Sequence, residues 1–313
     1  MKNKIAFTGL YIYNVVSLIY AETVPLQKRY NELCFLTSHN SYAAKNHGYL
    51  YAQQKYTLEE QLKKGVRGFM LDTHLDSLQN VILCHRSEAV TRMIRRGKAP
   101  LLLHDELKVF CDFLANNPTE IVTFFLENYV SAASLLDNAF KLSGIGDYIL
   151  TPHDWDPEKE QGWPTVAWMQ QKNKRLVIFN SIGRTDLAFN QWHHVAENQW
   201  GTTYSRRACK ERRESFLCRS RTRYLYIVNY FPSFRLNFGY SYHHINSIHL
   251  DRFLKNILKG LDQGYARNRL PNFISIDFID EGDALKHVIN YNNQHDNSSA
   301  HSHLFRPLVN NEL

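Results

Sequence analysis

The stretch Leu33-Cys34-Phe35-Leu36-Thr37-Ser38-His39-Asn40 is an apolar run that stops on a histidine, and the same form recurs along the chain. Gly68-Phe69-Met70-Leu71 stops on Asp72, and Val81-Ile82-Leu83-Cys84 stops on His85. Thr123-Phe124-Phe125-Leu126 stops on Glu127, and Phe273-Ile274-Ser275-Ile276 stops on Asp277. Short apolar runs bounded by polar residues read as buried strands. Longer amphipathic stretches separate them, which is the alternation of βα units. A chain of 313 residues accommodates one (β/α)₈ barrel, which takes about 250 residues. No Pro/Gly/Ser-rich linker divides it and no solenoid repeat is present. The expected fold is a single α/β domain, a TIM-type (β/α)₈ barrel, regular or distorted, over residues 30–292.

Outward from the first run, strands are expected at 33–38, 68–72, 81–85, 121–127, 175–180, 224–229 and 273–277, with an eighth near 195–199. Helices are expected at 58–64, 105–115, 132–142, 249–261 and 284–291, and Asn117-Pro118 marks a stop before the fourth strand. In a parallel barrel all strand C-termini open on one face. Residues two apart share a strand face. Thr37 with His39, Met70 with Asp72, Leu83 with His85, Phe125 with Glu127 and Ser275 with Asp277 can therefore all point inward. One choice of face brings five ionisable groups to the barrel mouth.

The ends read differently. Lys2 and Lys4 precede an apolar stretch from Ile5 to Tyr20, and Ala21 is a small residue suited to cleavage. Residues 1–21 read as a signal peptide, placing the protein outside the cytoplasm, secreted or extracytoplasmic. Residues 293–313 read as a polar, His/Asn-rich tail. Export permits disulfides. Among five cysteines, Cys209 and Cys218 close a short polar loop and are the favoured pair. Cys84 with Cys111 is a second candidate, and Cys34 is the odd, buried thiol. None has zinc spacing.

Two histidines beside three carboxylates suit acid–base chemistry. An imidazole titrates near neutrality, so one ring can take a proton while the other gives one. Asn40, Asp72 and Glu127 offer oxygens to a hard cation, Ca²⁺ or Mg²⁺, which would offset charge on a phosphoryl group. Asp277 can fix a histidine tautomer. The bland readings are surface or packed histidines, and Asp72 or Glu127 as caps or as partners of Arg67.

With these residues in view, the chain resembles the X domain of phosphatidylinositol-specific phospholipase C, and more closely the secreted PLC-like phosphodiesterase branch. The carrying segments are Ser38-His39-Asn40-Ser41-Tyr42, Gly65-Val66-Arg67-Gly68-Phe69-Met70-Leu71-Asp72 and Leu83-Cys84-His85. Further matches are Asn117-Pro118-Thr119-Glu120, Leu126-Glu127-Asn128-Tyr129, Trp163-Pro164-Thr165-Val166, Glu197-Asn198-Gln199-Trp200-Gly201 and Val228-Asn229-Tyr230-Phe231-Pro232. The resemblance implies that His39 is the general base, His85 the general acid and Asp277 the support of His39. It places Asn40, Asp72 and Glu127 on metal-ligand positions of calcium-dependent relatives. It implies cleavage between glycerol and headgroup, with a neighbouring hydroxyl attacking phosphorus.

Two departures bear on substrate and metal. Calcium-dependent relatives carry Glu where this chain has Met70, and a thioether is a poor ligand for a hard cation. Inositide-specific relatives carry lysines where this chain has Phe179-Asn180-Ser181, which argues against a polyphosphorylated inositide. The expected activity is that of a phosphoric diester hydrolase acting on a phospholipid or related phosphodiester. The alternatives are a glycerophosphodiester phosphodiesterase, which needs a Glu-x-Asp pair that Met70 breaks, and a weakly catalytic headgroup-binding barrel. The net charge is +7, with basic clusters at Arg206 to Arg223 and at Arg92, Arg95, Arg96 and Lys98. Either can meet an anionic membrane surface. No nucleic-acid module is present, and a monomer is expected.

Overall fold

The computed structural model describes residues 26–182, 185–199, 225–231 and 271–294. Residues 1–21, the expected helix 249–261, Cys209 and Cys218, the basic stretch Arg206 to Arg223 and the tail from 295 lie outside the described residues.

Parallel strands β1 (Phe35–Ser38), β2 (Gly68–Leu75), β5 (Val122–Asn128), β7 (Leu176–Asn180), β9 (Val195–Glu197), β10 (Leu225–Tyr230) and β11 (Phe273–Ile276) are the staves of a TIM-type barrel. The order along the sheet is β9-β10-β11-β1-β2-β5-β7, and the short β6 (Ile149–Leu150) and β8 (Phe189–Asn190) both pair with β7. Helix α6 (Gln191–His194) touches both β8 and β9 where the path turns between them.

Strand parity is as expected for β1, β2, β5 and β11, whereas Leu83, expected inward with His85, packs in the outer cluster. The inner cluster contains Phe35, Phe125, Val177, Phe179, Phe189, Val195, Ile227 and Phe273, with Met70 packed against it. The outer face carries Leu36, Phe69, Leu71, Phe124, Leu126, Ile178, Val228 and Ile274, which pack under helices. Both faces are apolar because helices cover the outside and side chains fill the inside. Burying these surfaces is the main driving force of the fold, at about 25 cal/mol per Å².

Local chemistry sets the helices. At α1 (Leu58–Lys63) Thr57 Oγ1 accepts from Glu60 N at 3.3 Å, and Thr57 N donates to Glu60 Oε2 at 2.8 Å. That reciprocal capping box satisfies two donors with no helical partner. Helix α2 (Glu88–Ile94) is capped by Ser87, and α3 (Leu103–Asn116) stops before Pro118, as expected. Gly68 opens β2 because a Cβ there would lie 2.1 Å from Thr37 Oγ1 on β1.

Four expectations are corrected. The run 81–85 is not a barrel stave: β3 (Val81–Leu83) turns back antiparallel along β2, with Thr73 opposite Leu83. Asp76 drives the reversal by accepting from Leu78 N and Asn80 N. Cys84 and Cys111 are both free thiols, as is the buried Cys34. Asn292 is not tail. It lies in the last helix, α7 (Ala284–Gln294), and pairs with Cys34 N and O at 2.8 and 2.9 Å. Arg67 takes neither Asp72 nor Glu127. Its buried guanidinium meets Glu120 at 2.7 Å.

Candidate functional site

His39, Asn40, Asp72, His85, Glu127 and Asp277 all line one cavity of 530 Å³. β1 and β11 deliver His39 and Asp277 side by side, because Ser38 is in register with Ile276. β2 and β5 deliver Asp72 and Glu127 as direct neighbours. His85 arrives by the antiparallel arm, and Cys84 N donates to Asp72 O at 3.2 Å to hold it there.

Each imidazole is tied through Nδ1 to its own buried carboxylate. His39 Nδ1 lies 2.8 Å from Asp277 Oδ1, and His85 Nδ1 lies 2.8 Å from Asp72 Oδ2. A carboxylate oxygen accepts, so Nδ1 carries the proton and Nε2 is the free nitrogen of each ring. The hydrogen bond to Asp72 pushes the His85 pKa above its ordinary value. Burial pushes the Asp277 carboxyl up, and His39 opposes that shift. The His39 ring stacks on Phe231 with centroids 3.6 Å apart and planes 2° apart, a contact that braces it.

Several residues at the site were given no role in the sequence reading. Tyr42 donates its hydroxyl to Asp72 Oδ2 at 3.0 Å. Burial, with Asp72 nearby, raises the Tyr42 pKa well above that of an ordinary phenol, so it stays a donor. Gln54 is fully buried and gives Nε2 to His39 O at 2.9 Å and Ile276 O at 3.0 Å. It thereby clamps the ends of β1 and β11. Glu197 is 2% exposed; its carboxylate takes Gln191 Nε2 at 2.5 Å and Asn229 Nδ2 at 3.1 Å. Asn229 Oδ1 is buried without a hydrogen-bond partner. The only available pointers to this wall were the motifs around Glu197 and Asn229. The residues after His39, His85 and Asp277 are Asn40, Arg86 and Phe278, with φ of 42°, 83° and 47°. Left-handed backbone is costly for side-chain-bearing residues, and such strain gathers at functional sites.

The oxygen donors proposed for a cation are partly engaged within the chain. Asp72 Oδ2 is occupied by His85 and Tyr42, and Glu127 Oε1 receives the Tyr129 hydroxyl. At position 70 the thioether accepts Ser275 Oγ at 3.2 Å and presents no oxygen. Among the described residues no group of three or more His, Cys, Asp or Glu is placed to hold a metal ion. Hard divalent cations take about six oxygens, several of which water can supply.

Comparison with known proteins agrees with the architecture. A PI-PLC X domain protein of Arabidopsis thaliana is 30% identical over 266 residues, 81% of this chain and 59% of that protein. The chain thus spans about three fifths of that relative's length. PI-PLC X domain-containing protein 1 of Arthroderma benhamiae is 27% identical, covering 83% of this chain and 84% of its own. Among solved structures, phosphatidylinositol-specific phospholipase C from Staphylococcus aureus superposes with a TM-score of 0.55 at 14% identity, over 87% and 96% of the two chains. The Listeria monocytogenes enzyme gives 0.53 at 13% identity, over 87% and 95%. These structures share the fold. The family described as PI-PLC X 1 matches residues 26–292, and the chain belongs to this PI-PLC X domain family.

Proposed function

We propose that the protein is a phosphoric diester hydrolase of the phospholipase C type, with His39 as general base and His85 as general acid. The observation that carries this reading is the pair of imidazoles on one cavity, each oriented by a buried carboxylate. His39 Nε2 takes the proton from the attacking hydroxyl, either on the headgroup or on water. A new P–O bond forms as the bond to the glycerol oxygen breaks. His85 Nε2 gives its proton to that leaving oxygen, and its raised pKa keeps the acid form available near neutrality. No step is routed through a metal, because Asp72 and Glu127 already serve partners within the chain.

The far wall favours a headgroup that donates hydrogen bonds. The buried Asn229 Oδ1, without a hydrogen-bond partner among the described residues, is an acceptor for a hydroxyl or ammonium group. The end of β7 reaches the cavity with Ser181, and among the described residues no cation lines that wall for an extra phosphate. Exposed Leu50, Tyr51 and Met93 lie beside the mouth, joined by Leu50 N to Ile94 O at 3.0 Å, and Arg96 and Lys98 follow. This combination supports peripheral contact with an anionic bilayer. Arg95 does not contribute, since its buried guanidinium donates to His47 O and Ala99 O. No described helix is long and apolar enough to cross a membrane. The signal-like residues 1–21 make a secreted enzyme the working assignment.

The deciding experiment is headgroup release from vesicles of phosphatidylcholine, phosphatidylethanolamine, phosphatidylserine or phosphatidylinositol. Wild-type release that is lost in both His39→Ala and His85→Ala supports the reading. Wild-type turnover in both variants sinks it. Headgroup binding without release would make the barrel a binding protein instead.

A further inference from the structure

We propose that Arg86 binds the phosphoryl oxygens of the substrate phosphodiester and is a catalytic residue of this site. The inference rests on the phosphodiesterase reading above and identifies the group that neutralises the phosphate.

The cavity wall poses an electrostatic problem. Asp72, Glu127, Glu197 and Asp277 all line it. A phosphodiester arrives with one negative charge and gains more as the oxygen attacks, so carboxylates alone would repel it. Among the described residues, Arg86 is the single lysine or arginine that lines the cavity. It follows His85 directly, and its charge reaches that ring.

Its backbone is fixed on both sides. Cys84 N is bonded to Asp72 O at 3.2 Å, and Ser87 Oγ caps α2 by accepting Val90 N at 3.3 Å. Between these anchors Arg86 holds φ +83°, where glycine is the unstrained choice. The sequence places its longest cation at a glycine-like position on the rim of the cavity. Among the described residues Arg86 makes no ion pair. Glu88, two residues on, is already taken by Arg92 and by Ser77 N. A guanidinium offers parallel N–H donors that match two phosphoryl oxygens. The bland alternative is an exposed turn arginine with no role, and it predicts no effect on turnover.

The test uses full-length protein and the best substrate of the vesicle panel. Arg86→Gln should lower kcat/KM by about 100-fold or more, the scale of losing one oxyanion donor. Arg86→Lys should recover part of that loss, because it restores the charge without the fork. Arg86→Gly should melt at or above the wild-type temperature while losing turnover as Arg86→Gln does, which separates the role from folding. Inhibition by inorganic phosphate should weaken about tenfold in Arg86→Gln, a single charge-assisted contact being worth about 1.4 kcal/mol. Turnover and phosphate inhibition within threefold of wild type in Arg86→Gln would overturn the proposal. If the wild type cleaves nothing, the phosphodiesterase reading fails first. Calorimetric titration with inorganic phosphate then decides for Arg86 alone: equal affinity in wild type and Arg86→Gln rejects it.

Discussion

His85 Nδ1 sits 2.8 Å from Asp72 Oδ2 although the two residues belong to antiparallel arms of one hairpin. The carboxylate stabilises the imidazolium and raises its pKa. If His85 is the acid, activity should persist up to that raised pKa and fall above it. Asp72→Asn removes the partner, so the His85 pKa drops and the alkaline limb of the kcat/KM profile moves to lower pH. A pH–rate profile of the two proteins checks this, and an unmoved alkaline limb would assign the acid elsewhere.

Asp277 presents the opposite balance between stability and activity. Burial raises its pKa, so the folded state holds the proton more tightly than the unfolded chain does. The unfolded chain loses its proton first, near pH 4. Stability from this group is therefore full below that pH and is lost as pH rises through the folded pKa. Asp277→Asn escapes the loss. Its melting temperature should match or exceed that of wild type at pH 7, with the gap closing toward pH 4. Turnover should still fall by about 10²-fold or more, because His39 loses the group that fixes its tautomer. Melting curves at several pH values, paired with rates, read both effects.

Gln54 joins the two strands that carry His39 and Asp277. Replacing it with leucine keeps the size but takes the amide donor from His39 O and the acceptor Oε1 from Ile279 N, while Ile276 O keeps His39 N. A buried unsatisfied carbonyl costs about 1–3 kcal/mol. Gln54→Leu should therefore lower unfolding stability by about 2 kcal/mol or more and slow turnover with little change in KM. Urea denaturation and steady-state kinetics measure the two.

Much of this arrangement was legible in the sequence, and the parts that were not have physical reasons. Alternation of side chains along strands is a local property, so inward placement of Met70, Asp72, Ser275 and Asp277 followed from parity. Pairing direction is not local. The run 81–85 looks like any buried strand, and only Asp76 accepting backbone N–H groups at 2.8–2.9 Å marks the reversal. Gln54 and Tyr42 act across 222 and 30 residues of chain. Contacts at such separation leave no spacing signal. The environment of the proposed cation ligands was hidden for a similar reason: residue type showed the oxygens of Asp72 and Glu127, but only the fold showed that His85, Tyr42 and Tyr129 engage one oxygen of each.

Arg67 and Glu120 form a buried ion pair at 2.7 Å, and Arg67 also donates to Leu62 O and Val66 O. Removing one partner strands the other charge inside the protein. Glu120→Ala should cost about 3–5 kcal/mol, measurable as a fall in the denaturation midpoint with an unchanged slope. Since this pair lies outside the cavity lining, kcat of the folded variant at low temperature should stay near wild type.

Met70 supplies the last prediction. Its thioether shares the inner face of β2 with Asp72, beside Glu127. Wild-type turnover should stay within about twofold after dialysis against a chelator, because a thioether offers a hard cation nothing. Met70→Glu places a third carboxylate at the mouth, next to two that are partly occupied. Mutual repulsion of the three is relieved by a divalent cation, so the variant should bind Ca²⁺ calorimetrically where the wild type gives no heat of binding. It should also lose stability in chelator and regain it with Ca²⁺. Strong Ca²⁺ binding by the wild type, or loss of its activity in chelator, would return the metal to the mechanism and reduce Arg86 to a secondary role.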